Sequence, residues 1–100
     1  MQPKQYPEEN IAKIVHLIAG KIHPRRIIWF GSRAQGKTQP YADYDIAFEG
    51  VEMTHRTERH LKDLLDQQLG IFSVDLVNLD KADPQFKEIV EQTGKIVYEI

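Results

Sequence analysis

Cysteine is absent from the chain, and with it go disulfides, thiolate nucleophiles and Cys-ligated zinc or iron–sulfur centres. No apolar run approaches the roughly 18 residues that span a bilayer. The opening Met-Gln-Pro-Lys-Gln is not built like a secretory signal, so the expected compartment is the cytoplasm. A basic excess is also missing: 13 Lys and Arg against 15 acids give a formal net charge of −2, which argues against a general nucleic-acid binder. There is no internal repeat, low-complexity tract or linker. What remains is a chain of 100 residues, 41% hydrophobic and 28% charged, the balance of one globular domain that builds a single core without staples.

The charge is unevenly placed. Residues 1–50 hold seven Lys and Arg against five acids, residues 51–100 six against ten. Lys21, Arg25, Arg26, Arg33 and Lys37 lie close in sequence to one Gly-containing turn. A local positive field of that kind suits phosphate, although a solvated surface also accounts for such clusters.

Hydrophobic spacing predicts a helix from about Glu8 to Ala19 with Ile11, Ile14, Val15 and Ile18 on one stripe, its exit bracketed by Gly20 and Pro24. Arg25 to Phe30 is a short β-branched and aromatic strand, with Trp29 a core residue. Gly31-Ser32 ends it abruptly; Ser32 to Gln35 makes a helical turn closed by Gly36, and Lys37 to Ala42 is loop. Tyr44 to Phe48 reads as a second strand, 53–69 as a helix with Leu61, Leu64, Leu65 and Leu69 inward, and Ile71 to Leu79 as a third strand. Pro84 starts a helix to about Gln92 with Phe86, Ile89 and Val90 inward, and Lys95 to Ile100 is a last strand. Such an order implies a sheet with helices packed on it, α/β or α+β.

Two phosphate-binding patterns share the turn. Gly31-Ser-Arg-Ala-Gln-Gly36-Lys37-Thr38 satisfies the Walker A expression after a strand. A P-loop then needs a long helix opened by the Lys and Thr, and Gln39-Pro40-Tyr41-Ala42-Asp43 does not supply one. The rival pattern is Gly31-Ser32, ten residues, then Asp43-Tyr44-Asp45. On a strand, residues two apart share a face about 6.5–7 Å from one another, so Asp43 and Asp45 project together while Tyr44, Ile46 and Phe48 go to the other side. Paired carboxylates repel unless a cation sits between them, and oxygen ligands without imidazole or thiolate favour Mg²⁺ or Mn²⁺. Asp75, set between Val74 and Leu76, is a third candidate, costly in mid-strand unless paired or metal-bound. It stands beside the other two if the second and third strands are neighbours.

Strand, Gly-Ser, short helix, loop, Asp-x-Asp strand and a later strand Asp together resemble the DNA polymerase β-type nucleotidyltransferase superfamily. More narrowly, Trp29 to Gly36, Asp43 to Ile46, Val74 to Val77 and Gly94 to Tyr98 resemble the minimal nucleotidyltransferase (MNT) domains of prokaryotic toxin–antitoxin pairs. The resemblance implies an α+β palm, a mixed sheet of about four strands with helices on it. It also implies transfer of AMP from ATP to an acceptor hydroxyl. Gly31, Ser32 and Arg33 would then meet the nucleotide's phosphates, and Asp43, Asp45 and Asp75 would hold Mg²⁺, with Asp75 also helping to deprotonate the acceptor. The implied partner and acceptor is a HEPN-domain toxin and its tyrosine; a homodimer is compatible with so small a domain. Ala42 stands where that family commonly has Ser, and Tyr44 where it commonly has an aliphatic residue.

Plainer readings stand beside these. Ser32 as a helix N-cap, Asp43 and Asp45 on a solvated edge, Asp75 in an edge ion pair, and Arg33 and Lys37 on a solvated turn are all compatible with the sequence. His16, His23, His55 and His60 carry no ligand spacing and read as ordinary polar residues. A non-catalytic antitoxin that neutralises its partner by occlusion is the alternative from another class.

Overall fold

A computed structural model describes residues 8–36 and 43–100; the loop expected at 37–42, which includes Lys37 and Thr38, lies outside the described residues. Nine elements follow in order: α1 (Glu9–Ile22), β1 (Arg26–Phe30), α2 (Gly31–Ala34), β2 (Tyr44–Glu49), α3 (His55–Leu69), β3 (Val74–Asn78), a 3₁₀ turn (Leu79–Lys81), α4 (Pro84–Thr93) and β4 (Lys95–Glu99).

The strands form one sheet in the order β3-β2-β1-β4. β1 runs antiparallel to both β2 and β4, and β2 runs parallel to β3 across the α3 crossover. The sheet is therefore mixed and the class α+β, as expected. A P-loop is set aside on the same ground: its strand should lie in a parallel sheet and run into a long helix, whereas α2 has four residues.

The apolar stripe of α1 carries the main core. Ile11, Ile14, Val15, Ile18 and Ile22 are buried against Ile27, Trp29, Tyr44, Ile46 and Phe48 of the sheet and Leu61, Leu65 and Leu69 of α3. Each such side chain stabilises the fold by about 1.5–3 kcal/mol when fully buried. That explains why α1 runs three residues beyond its expected end: burying Ile22 outweighs the roughly 1 kcal/mol helix penalty of Gly20. His23, with φ 51°, turns the chain instead.

On the opposite face α4 covers a smaller cluster of Ile28, Ala47, Leu79 and Val90. Here the expected pattern fails in part, since Phe86 is 37% and Ile89 57% exposed and only Val90 is sealed. One short helix over small partners has room for a single inward row. Asp83 caps it by accepting from the Gln85 N–H at 2.8 Å, and Pro84 takes the first helical position. Thr54 caps α3 in the same manner.

β3 begins three residues later than expected, because Gly70 to Ser73 turn out of α3 and leave Ile71 exposed. Its outward carbonyl at Val74 accepts from the Lys62 ammonium of α3 at 2.7 Å. Among the described residues no helix is long and apolar enough to cross a membrane.

Candidate functional site

At the end of β1 the backbone turns sharply into α2. Gly31 adopts φ +82°, and a Cβ on it would come within 2.1 Å of Asp45 Oδ2. Only glycine allows that combination of dihedral and contact. The turn therefore rests directly on the carboxylate of the next strand. Phe30, not Ser32, occupies the N-cap position of α2, and no side chain caps this helix. Ser32 is exposed two residues further on, so the N-cap reading of Ser32 does not hold.

The acids come together through the register of the sheet. Phe30 pairs with Asp45 across β1 and β2, and Asp45 pairs with Asp75 across β2 and β3. Side by side on one face, then, stand an aromatic ring and two carboxylates, with Asp43 immediately before β2. Asp45 is half-buried, while Asp43 and Asp75 are exposed. The expectation of a costly mid-strand charge at Asp75 is corrected: β3 is an edge strand and leaves that side chain in solvent. Burial, reinforced by the charges of Asp75 and then Asp43, pushes the Asp45 carboxyl above the ordinary aspartate range.

Carboxylates gathered in this way are eased by a bound cation. Among the described residues no three His, Asp or Glu side chains form a ready-made cage for a metal ion. Mg²⁺ seldom requires one, being held by one or two carboxylates with waters and substrate phosphates supplying the remaining oxygens. The all-oxygen donor set and the unfavourable charge at Asp45 fit such an ion. The aromatic wall continues from Phe30 to Phe86, whose rings meet edge-on at 5.8 Å.

The cationic cluster anticipated around the turn is dispersed. Arg25 and Arg26 lie at the opposite end of β1, where both pair with the buried Glu49 of β2 and Arg26 also pairs with Glu91. Lys21 is in the last turn of α1. Arg33 stays beside the turn, but its guanidinium lies over the Tyr44 ring, 4.4 Å from the centroid, and 3.8 Å from Glu8. Tyr44 alternates with Asp45, so Arg33 packs on the side of β2 away from the Asp45 carboxylate. Sequence reasoning missed Glu8 and Asn10, which meet the Tyr44 hydroxyl from more than thirty residues away and carry no motif. His55 and His60 are exposed, as expected, and so are His16 and His23.

Residues 12–100 match the family model described as Polymerase beta, Nucleotidyltransferase. Over 88 residues the chain is 30% identical to a Haemophilus influenzae protein described as a probable protein adenylyltransferase, MntA, covering 86% of this chain and 77% of that one. Among solved structures, a toxin–antitoxin crystal structure with AMP-PNP superposes with a TM-score of 0.74 at 27% identity, over 95% of this chain and 75% of the other. A tri-AMPylated Shewanella oneidensis HEPN toxin in complex with its MNT antitoxin gives a TM-score of 0.70 at 26% identity, over 91% of this chain and 71% of the other.

Proposed function

The chain belongs to the polymerase β nucleotidyltransferase family, and from that membership and the geometry of its acids we propose that it transfers AMP from ATP to a tyrosine hydroxyl of a HEPN-domain toxin and acts as its antitoxin. The observation that carries the reading is the contact of the Gly31 turn with Asp45, itself paired in register with Asp75. Phosphates seated on Gly31 and Ser32 would lie against a carboxyl that the fold burdens with excess negative charge. The relatives that work on, or stand complexed with, such partners support the choice of donor and acceptor.

In the transfer, the acceptor oxygen bonds to the α-phosphorus as the bridging Pα–O bond breaks, and pyrophosphate departs with that electron pair. Asp75, exposed and adjacent to Asp45, receives the hydroxyl proton. Asp43, Asp45 and Asp75 are the residues that would hold Mg²⁺, which when bound neutralises charge spreading over the phosphates. The chain contributes alignment of donor and acceptor.

The test is incubation with ATP, Mg²⁺ and a cognate HEPN protein, followed by intact mass of both chains. A gain of one or more AMP units on the HEPN chain is the expected result, lost in Asp43→Asn with Asp45→Asn. Neutralisation of the toxin that survives the double substitution would overturn the reading in favour of occlusion.

A further inference from the structure

The most heavily partnered residues near the acids are on the other side of β2. Tyr44, between Asp43 and Asp45 in sequence, is 1% exposed. Its hydroxyl donates to a Glu8 carboxylate oxygen and accepts from Asn10 Nδ2 at 3.0 Å. The Phe72 ring meets it edge-on at 5.8 Å. Over these two rings lies the Arg33 guanidinium, 4.4 Å from the Tyr44 centroid and 5.2 Å from that of Phe72, with Nη1 3.8 Å from Glu8 Oε2. The Arg33 side chain is 15% exposed.

Connectivity gives this cluster its meaning. Arg33 directly follows Gly31-Ser32, and Tyr44 directly precedes Asp45. Arg33 itself lies in α2, a helix of only four residues closed by Gln35 N–H to Gly31 O at 3.2 Å and Gly36 N–H to Arg33 O at 3.1 Å. So short a helix does not hold its own orientation. A guanidinium stacked on a ring and facing a carboxylate does, because its plane suits both contacts at once.

We propose that Arg33 is a positioning residue: with Tyr44 and Glu8 it clamps the Gly31-Ser32 turn to β2 and thereby sets the bearing of that turn on Asp45. The proposal rests on the AMP-transfer reading for its catalytic consequence and assigns Arg33 a role other than direct phosphate contact. A side chain spent on two rings and a carboxylate on the far side of β2 serves the phosphates through the backbone that it holds.

A double-mutant cycle tests it, with Arg33→Met, Tyr44→Leu and the pair assayed for AMP transfer. Each single change lowers kcat by about tenfold or more with KM for ATP shifted less than about twofold. The pair is no worse than the more damaging single change, as expected of residues acting through one contact. Arg33→Lys, which keeps the charge and loses the planar stack, restores little. Direct phosphate contact gives the opposite pattern: a raised KM, rescue by Lys, and additive losses. Should Tyr44→Leu fail to fold, Glu8→Gln takes its place in the cycle.

Amide hydrogen exchange supplies a readout that does not depend on activity. In Arg33→Met the Gln35 and Gly36 amides exchange about tenfold faster while those of β1 and β2 keep their protection. Unchanged exchange there overturns the clamp even if transfer is active. Absence of transfer by the unaltered protein overturns the AMP-transfer reading, and the exchange result still decides the clamp.

Discussion

Asp45 and Glu49 lie four residues apart on the same face of β2, and the fold treats them in opposite ways. Glu49 is 2% exposed and is met by Arg25, Arg26 and Lys87, with Arg26 held in turn by Glu91. Asp45 has a glycine backbone on one side and two more carboxylates nearby, whose charges raise its pKa beyond the effect of burial. One acid is met by the protein's own cations; the other is crowded by carboxylates of its own sign. Among the described residues, the end of β2 with balanced charge supports folding and the end with unbalanced charge supports the proposed chemistry.

The largest effect expected from breaking this contrast is at Asp45. Asp45→Asn should lower AMP transfer by more than the roughly 10–100-fold typical of residues that merely support a metal ligand, read by product mass over time. The same variant should be more stable without metal. A carboxyl whose folded pKa is raised contributes stability that is present below its unfolded pKa and lost as pH rises through the folded value. At neutral pH that contribution is gone and the repulsion remains, so the Asn variant should melt a few degrees higher, by about 2–5 °C. A melting point that falls instead would mean Asp45 is not held against its charge.

Gly31→Ala comes next. The left-handed dihedral alone should remove about 1–2 kcal/mol of stability, the collision with Asp45 should add to that loss, and transfer should fall by about 10²-fold through misplacement of the turn. Urea unfolding and the transfer assay check the two halves separately.

At the balanced end, Glu49→Ala should reduce stability toward the lower end of the roughly 3–5 kcal/mol typical of broken buried pairs, because Arg25 is 63% exposed and recovers water. The smallest effect belongs to Glu91. Arg26 holds its carboxyl below the ordinary range, chiefly by a hydrogen bond. Its contribution is present above the unfolded pKa and is lost as pH falls through the folded one. Glu91→Gln should lower the melting temperature slightly at neutral pH, leave it unchanged at low pH, and so flatten the acid limb of a plot of melting temperature against pH.

The Asp45 half of this contrast could be read from residues alone, and the reasons are local. The Ile11, Ile14, Val15 and Ile18 spacing put α1 on the core, and alternation along β2 placed Tyr44, Ile46 and Phe48 inward and Asp45 on the other face. The Gly-Ser and Asp-x-Asp spacing found the turn and its acids because a tight bend and a same-face pair each leave a short signature. What sequence could not supply is distance between elements. Arg25 and Arg26 are near Gly31 along the chain yet sit at the other end of a strand, and the three partners of Glu49 come from β1, from the residue before it and from α4. The exposure of Phe86 and Ile89 depends on how many helices cover one sheet face, which no single helix pattern reveals. The Glu8–Tyr44 contact joins residues 36 positions apart and obeys no periodicity.

The Lys62 bond to the Val74 carbonyl bears on how this sheet meets other chains. Val74 faces away from β2 at one rim, and an ammonium already occupies the acceptor that an added strand would seek. The rim that carries Asp75 is thus guarded against zippering onto a foreign β-segment. The acid proposed to receive the acceptor's proton sits on a border where one backbone acceptor is already taken.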